Sequence, residues 1–263
     1  MKKALLTLLF LSAALSAQEM RIVSLSPAMT ELVWYLGKGP AMVGRSEVCD
    51  FPPEVRTLPV VGKFADPHME NILRTKPTHI VTNDLINPGA AKIFGRHKIK
   101  TVLHQVHTIS DYRRCLLLLG KELNISERIQ TEIEHLDKAA VPAPALNKKA
   151  LWVIWDSPLM TAGKGSFPEE LMTLTGVENV AKDVPQTYFK CSYEFLLKHQ
   201  PDVIIWTAGE RSLSQLRKHR FWNKLKAVQN GKVIFLDARD PIQRPGPRMF
   251  ERLKFLRKKL EEL

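Results

Sequence analysis

Residues 70–81 read ENILRTKPTHIV and residues 194–205 read EFLLKHQPDVII. Each stretch opens on a glutamate, carries a proline seven places on and ends in an apolar run. A residue before proline is pushed out of the right-handed helical region, so a helix that starts near Glu70 or Glu194 stops before Pro77 or Pro201. The short apolar run that follows, with HIVT in the first copy, reads as a buried strand. An acidic residue suits the positive end of the helix dipole. Local grammar alone, a helix-initiating acid and a strand-opening proline, accounts for either phrase. Its recurrence says that the chain contains one helix-to-strand unit twice.

The alternation continues outward from both copies. RIVSL, from Arg21, is followed by SPAMTELVWYLG, with Ser26 as N-cap, Pro27 at the first helical position and Gly37 as a stop. The free N–H groups of that helix start lie at the C-terminal end of a strand, where open α/β sheets bind ligands. AMVGRSEVCDFPPEV supplies a short strand and a proline-rich loop, and PGAAKIFGRHKIKTVLHQV gives helix then strand again. Between Ser110 and Ala140 strands cease; Tyr112 to Leu123, and then Ile125, Ile129, Ile133 and Leu136, keep helical spacing. VPAPALNKK marks a boundary through its prolines. ALWVIW restarts the alternation, which runs through TAGKGS, FPEELMTLTG, the second phrase, SLSQLRKHRFWNKL and KVIFLD to a basic amphipathic helix, GPRMFERLKFLRKKLEEL. Alternating strands and helices imply an α/β fold with mostly parallel sheets.

A chain of 263 residues, 44% hydrophobic and 25% charged, has the composition of an ordinary globular protein and can bury a sizeable core. Lys2 and Lys3, the apolar run Ala4 to Leu15 and the small-residue site Leu15-Ser16-Ala17 read as a signal peptide over residues 1–17. The apolar run is shorter than the ~20 residues of a membrane-spanning helix. No cysteine adjoins the cleavage site, so the expectation is a soluble, non-lipidated protein of the periplasm. Cleavage would remove two of the charges behind the net +12. The remaining excess reads as a solvated basic face, and export argues against nucleic acid as partner. Cys49, Cys115 and Cys191 cannot all pair within one chain. Cys115 has helical spacing with Tyr112, Leu116 and Leu119 and reads as core; Cys49 and Cys191 can pair or stay free.

Catalytic constellations are weak. AGKGS at 162–166 lacks the upstream glycine of a phosphate loop, and Gly165 stands where the hydroxyl belongs. There is no Gly-x-Ser-x-Gly elbow. His104 and His107 sit at a strand end, where i and i+3 do not share a face. Asp66, His68 and Glu70 offer three ligand types, yet each also serves as a loop or helix-start residue. Phe64, Trp155, Tyr188 and Trp206 fall near strand ends of both halves, which suggests an apolar cleft for a flat or bulky ligand. Arg244, in QRPGPR, and Lys164 are candidate cationic contacts.

RIVSLSPAMTELVWYLG, VGRSEVCDFPPEV, MENILRTKPTHIV, YEFLLKHQPDVII and QRPGPR occur in order from about Met20 to the C-terminus. Together they resemble the periplasmic substrate-binding proteins of ABC importers for cobalamin, haem and ferric siderophores, the cobalamin branch above all. The resemblance implies two Rossmann-like α/β lobes joined by one long rigid α-helix, here Ser126 to about Ala140, with ligand held between them. The domains would be 18–109 and 149–263, with a helical segment over 110–148. It also implies that Glu70 and Glu194, one on each lobe, dock against arginines of an inner-membrane ABC permease. By the same register Phe64 and Tyr188 match aromatic positions of the cobalamin pocket, whereas Val48 and Asn83 stand where such binders commonly carry further rings. The expectation is a monomeric, non-enzymatic carrier of a metal chelate, cobalamin or a related corrinoid, with no resident cofactor or metal. Ser26, Pro27, Phe64, Trp155, Tyr188 and Arg244 would meet the ligand. The alternatives are a haem or ferric-siderophore carrier, a scavenger without a permease, and an exported α/β metal-dependent enzyme using Asp66, His68, His104 or His107.

Overall fold

The computed structural model describes residues 19–64, 66–83, 88–237 and 239–263. The expected signal peptide lies outside the described residues. From the first half come β1 (Ile22–Ser24), α1 (Pro27–Val33), β2 (Met42–Arg45), the short β3 (Gly62–Lys63) and β4 (Asp66–Pro67), α2 (Met69–Arg74), β5 (His79–Thr82), α3 (Pro88–Arg96) and β6 (Lys100–Leu103). The four longer strands form one parallel sheet in the order β2-β1-β5-β6, and β3 pairs with β4 as a small antiparallel ribbon.

Two helices follow, α4 (Ile109–Leu123) and α5 (Ser126–Ala139). Thr108 caps α4 by accepting the Asp111 N–H at 3.0 Å, and Asn124 ends it in the left-handed region at φ 52°. The chain then reverses, so α5 packs on α4. At 14 residues α5 spans ~21 Å.

The second half contains β7 (Lys149–Asp156), β8 (Leu159–Ala162), α6 (Phe167–Leu174), β9 (Glu178–Asn179), β10 (Tyr188–Lys190), α7 (Tyr193–His199), β11 (Val203–Trp206), α8 (Leu213–Lys218), α9 (Lys226–Gln229), β12 (Val233–Phe235) and α10 (Met249–Glu262). Its sheet runs β10-β8-β7-β11-β12, with β9 beside the start of β7. The pairs β7–β9, β7–β11 and β11–β12 are parallel, whereas β7–β8 and β8–β10 are antiparallel. The two antiparallel strands were not legible in the sequence: LMTA and YFK are short, and only Ser157 and Pro158 separate β7 from β8.

Period-2 alternation explains the layering. Ile22, Val81, Ala150, Trp152, Val203 and Ile205 point into one continuous apolar cluster, which also takes Leu116 and Leu119 of α4, Ile133 and Leu136 of α5, and Leu256 and Leu260 of α10. The intervening strand residues face outward: Val23 and Ile80 meet Ile72 and Phe94, while Leu151, Val153, Ile204 and Trp206 meet Trp222. Both sheets therefore rest on a shared middle layer of helices, and their parallel strands are apolar on both faces.

The duplicated phrases become α2–β5 and α7–β11, each a central strand of its sheet with the helix that precedes it. Lys76 (φ 49°) and Gln200 (φ 40°) adopt positive φ immediately before Pro77 and Pro201, so the same device stops each helix.

Candidate functional site: a cleft at the strand ends

The C-terminal ends of β1, β2 and β5 converge on a cavity of ≈ 720 Å³. Pro27, Ala28, Val48, Phe64 and Asn83 line it from the first half, with the carboxylates of Glu47 and Asp50. Arg239, Gln243, Arg244 and Pro245 line it from the second. Arg239 also lines a neighbouring space of ≈ 600 Å³ at the ends of β11 and β12, beside Gly209, Phe235 and Asp237. The two cavities thus meet at one arginine, at the strand ends where open α/β sheets bind ligands.

Pro27, Phe64 and Arg244, all named from sequence, are brought together here. Phe64 is 45% exposed, a large ring that lines the cavity. Ser26 starts α1 but makes no side-chain capping bond; it is fully buried, and its Oγ accepts the Asn83 N–H at 3.4 Å. It therefore ties the end of β5 to the helix start beneath the cavity. Trp155 and Tyr188 line neither cavity. Trp155 stands 58% exposed at the end of β7, with Nε1 donating to the Ser157 carbonyl at 2.8 Å, and Tyr188 is 40% exposed on edge strand β10. Trp206 does not face a cleft. Strand parity turns it into the outer core with no exposure, edge-on to Trp222 at 5.2 Å. Lys164 is exposed and lines neither cavity.

Sequence reasoning missed the ionic frame of this cleft. Glu31, on α1, has a side chain only 3% exposed; its carboxylate accepts from Arg244 Nη1 at 2.9 Å and from Arg248 Nε and Nη2 at 2.8 and 2.6 Å. Arg244 Nη1 also reaches Asp50 Oδ1 at 2.8 Å. Burial works to raise the Asp50 carboxyl, but the hydrogen bond and charge of Arg244 outweigh it and hold the group below the usual carboxylate range. The same bonds raise the Arg244 guanidinium against its own desolvation. Below them Arg252 Nε donates to Asp240 Oδ1 at 3.0 Å, and that oxygen also accepts the Ile242 N–H, so the QRPGPR loop is pinned at its base. Arg239 is the loose member: 78% exposed, with Nη1 3.9 Å from Asp50. The one available signal was Glu31 itself, a lone acid in an otherwise uncharged helix PAMTELV.

Glu70 and Glu194 are exposed, and each is the second residue of its helix. Glu70 pairs with Arg74 at 2.9 Å. Cys49, Cys115 and Cys191 are buried free thiols, Cys115 in the core as its spacing suggested. Burial pushes the thiols of Cys115 and Cys191 up to about 12. Among the described residues no group of three His, Cys, Asp or Glu side chains is placed to hold a metal ion. His107, Asp66 and His68 are exposed.

A family profile described as periplasmic binding protein matches residues 22–239. The chain belongs to the periplasmic binding protein family. This family comprises substrate-binding proteins of ABC transport, which bind small molecules, and is not a family of enzymes. The vitamin B12-binding protein of Vibrio cholerae serotype O1 is 28% identical to this periplasmic binding protein over 255 residues, 93% of this chain and 91% of the relative. The crystal structure of the periplasmic vitamin B12-binding protein of Vibrio cholerae superposes with a TM-score of 0.71 at 27% identity, covering 92% of this chain and 96% of that one. A possible iron-binding periplasmic solute-binding protein from Staphylococcus epidermidis gives 0.78 at 27% identity, covering 91% and 98%. The two-lobed fold expected from the sequence is the fold of these neighbours. Among the described residues no helix is long and apolar enough to cross a membrane.

Proposed function

We propose that this periplasmic binding protein captures a corrinoid, cobalamin or a close relative, between its two halves and hands it to an inner-membrane ABC permease. The observation that carries the reading is a strand-end cavity built by residues from both halves, in a chain 28% identical over 93% of its length to a vitamin B12-binding protein. Phe64 packs against the corrin face, Pro27 and the helix start beneath Ser26 form one edge, and Arg244 presents a fixed cation at the base. Trp155 and Tyr188, exposed outside the cavities, meet the part of a bulky ligand that projects from them. The apolar cluster shared by both halves supports small closure rather than a wide hinge. Glu70 and Glu194 dock to arginines of the permease, where two separated charge-assisted contacts set both position and orientation. The working form is a monomer, exported by the segment 1–17 and not lipidated.

A second reading, a haem or ferric-siderophore carrier, is favoured by Arg239. This exposed cation lines both cavities and is held only loosely by Asp50, as recognition of a propionate or an anionic siderophore requires. Titration of the purified mature protein with cyanocobalamin, cobinamide, haemin and ferric siderophores, followed by tryptophan fluorescence and visible spectra, separates the two. Saturable binding of both corrinoids supports the first reading, and binding of haemin or a siderophore alone supports the second. No response to any of the four overturns both.

A further inference from the structure

A separate cavity of ≈ 590 Å³ shares no lining residue with the cleft, although Glu31 lines it while its partner Arg244 lines the cleft. It opens between the end of α1, the α5 face carrying Glu132 and His135, and the start of α10. Four rings line it: Trp34, Tyr35, Phe51 and Phe250. Tyr35 is 52% exposed and Phe51 36%, so the wall is not consumed by core packing. The face of Phe51 is already taken by the Arg248 guanidinium at 3.5 Å.

The floor holds Glu132, a carboxylate only 4% exposed. The Tyr112 hydroxyl donates to Oε1 at 3.4 Å, long for such a bond, and Tyr35 lines the same cavity. His135 Nδ1 stands 3.8 Å from Oε2. Among the described residues no lysine or arginine pairs with this group; Lys138 and Lys254, which also line the cavity, are exposed and form no ion pair with it. The other deeply buried carboxylates, Glu31 and Asp240, each hold an arginine. A buried carboxylate whose one basic neighbour is a histidine at 3.8 Å, charged only when protonated, is costly, and burial accordingly raises its protonation range.

Ring faces attract cations, and an apolar body covers the ring edges. We infer that this cavity is a second binding site, for a small organic ammonium ion with an aromatic or apolar body, in which Glu132 is the counter-ion and Trp34, Tyr35 and Phe250 are the walls. The inference does not depend on which chelate occupies the cleft.

The test titrates the full mature protein with benzyltrimethylammonium and phenethylammonium, using benzyl alcohol and phenylpropionate as neutral and anionic controls. Binding is read by calorimetry and by the indole NMR signals. The cations should bind at least about tenfold more tightly than either control. Glu132→Gln should remove that preference while the thermal melt stays cooperative, and Phe64→Ala, in the cleft, should leave it unchanged. Should Glu132→Gln fail to fold, Tyr35→Leu, at a half-exposed position, should weaken the cations by several-fold. Equal affinity for cation and neutral control, no saturation at millimolar probe, or undiminished cation binding by both variants overturns the inference.

Discussion

Replacing Glu31 by glutamine tests the ionic frame at its centre. The substitution keeps shape and helix propensity but deletes the charge that accepts three arginine bonds, from Arg244 Nη1 and from Arg248 Nε and Nη2. Breaking a buried ion pair by removing one partner costs about 3–5 kcal/mol when the other charge is stranded. Neither arginine is fully stranded here. Arg244 keeps Asp50 at 2.8 Å, and Arg248, with 31% of its side chain exposed, keeps the face of Phe51 and gains water. The expected loss is therefore about 2–3 kcal/mol, below the full penalty. In a chain of this size that lowers the melting temperature by roughly 5–10 °C. Urea denaturation of the mature protein at pH 7, read by circular dichroism, measures it. The double mutant with Arg248→Gln should fall short of additivity by at least about 1 kcal/mol, since the two changes remove the same bonds. A loss for Glu31→Gln below about 1 kcal/mol, or additive effects, would refute the placing of this carboxylate at the centre of the cleft's ionic frame.

The pH dependence of stability has two opposed parts. The carboxyl of Asp50 is held low, so its contribution is complete above the ordinary aspartate value of about 4 and is lost as pH falls through the lower folded value. Glu132 is held high by burial, so stability is lost as pH rises from the ordinary glutamate range through the raised value; Glu132→Gln should flatten that limb and leave the protein no less stable at pH 7, as melts from pH 3 to 8 will record. Glu70→Ala combined with Glu194→Ala should abolish ligand uptake in cells while ligand affinity in solution stays within about twofold; persisting uptake, or a collapse of affinity, removes the docking assignment. All three thiols should resist a thiol-specific chromogenic reagent at pH 8 in the native protein and react fully in denaturant, because burial raises each of them.

What was legible in the sequence is what a few adjacent residues decide. Pro77 and Pro201 force the preceding residue out of the helix, and the positive φ of Lys76 and Gln200 is the backbone's answer. Apolar runs such as VIIW mark strands buried on both faces, so the helix–strand order and the α/β class could be read directly. Trp206 was misjudged as a cleft ring because one step of strand parity separates the inner cluster, which takes Ile205, from the outer one. The frame of the cleft was invisible for another reason. Glu31 meets Arg244 and Arg248 across sequence separations of 213 and 217, and no local pattern carries a contact that the fold makes. Phe64 was named from its place near a strand end and from the family's register, and Arg244 as a candidate cation in QRPGPR, while Asp50 and Arg239 needed the geometry.

The duplicated phrase also fixes where the two glutamates can stand. Only residues 75–78 connect α2 to β5, and only residues 200–202 connect α7 to β11, so each helix must run back along the strand it feeds. A helix that returns in this way begins near the strand's C-terminal end, the edge of the sheet where the cleft opens. Glu70 and Glu194, each second in its helix, are placed by topology at the cleft edge of their own sheets. A partner that gripped both would lie across the mouth of the cleft, in position to receive what leaves it. On the proposed docking role, docking and release would be coupled through the chain's own connectivity: the proline that turns each helix into its strand also sets the glutamate beside the opening.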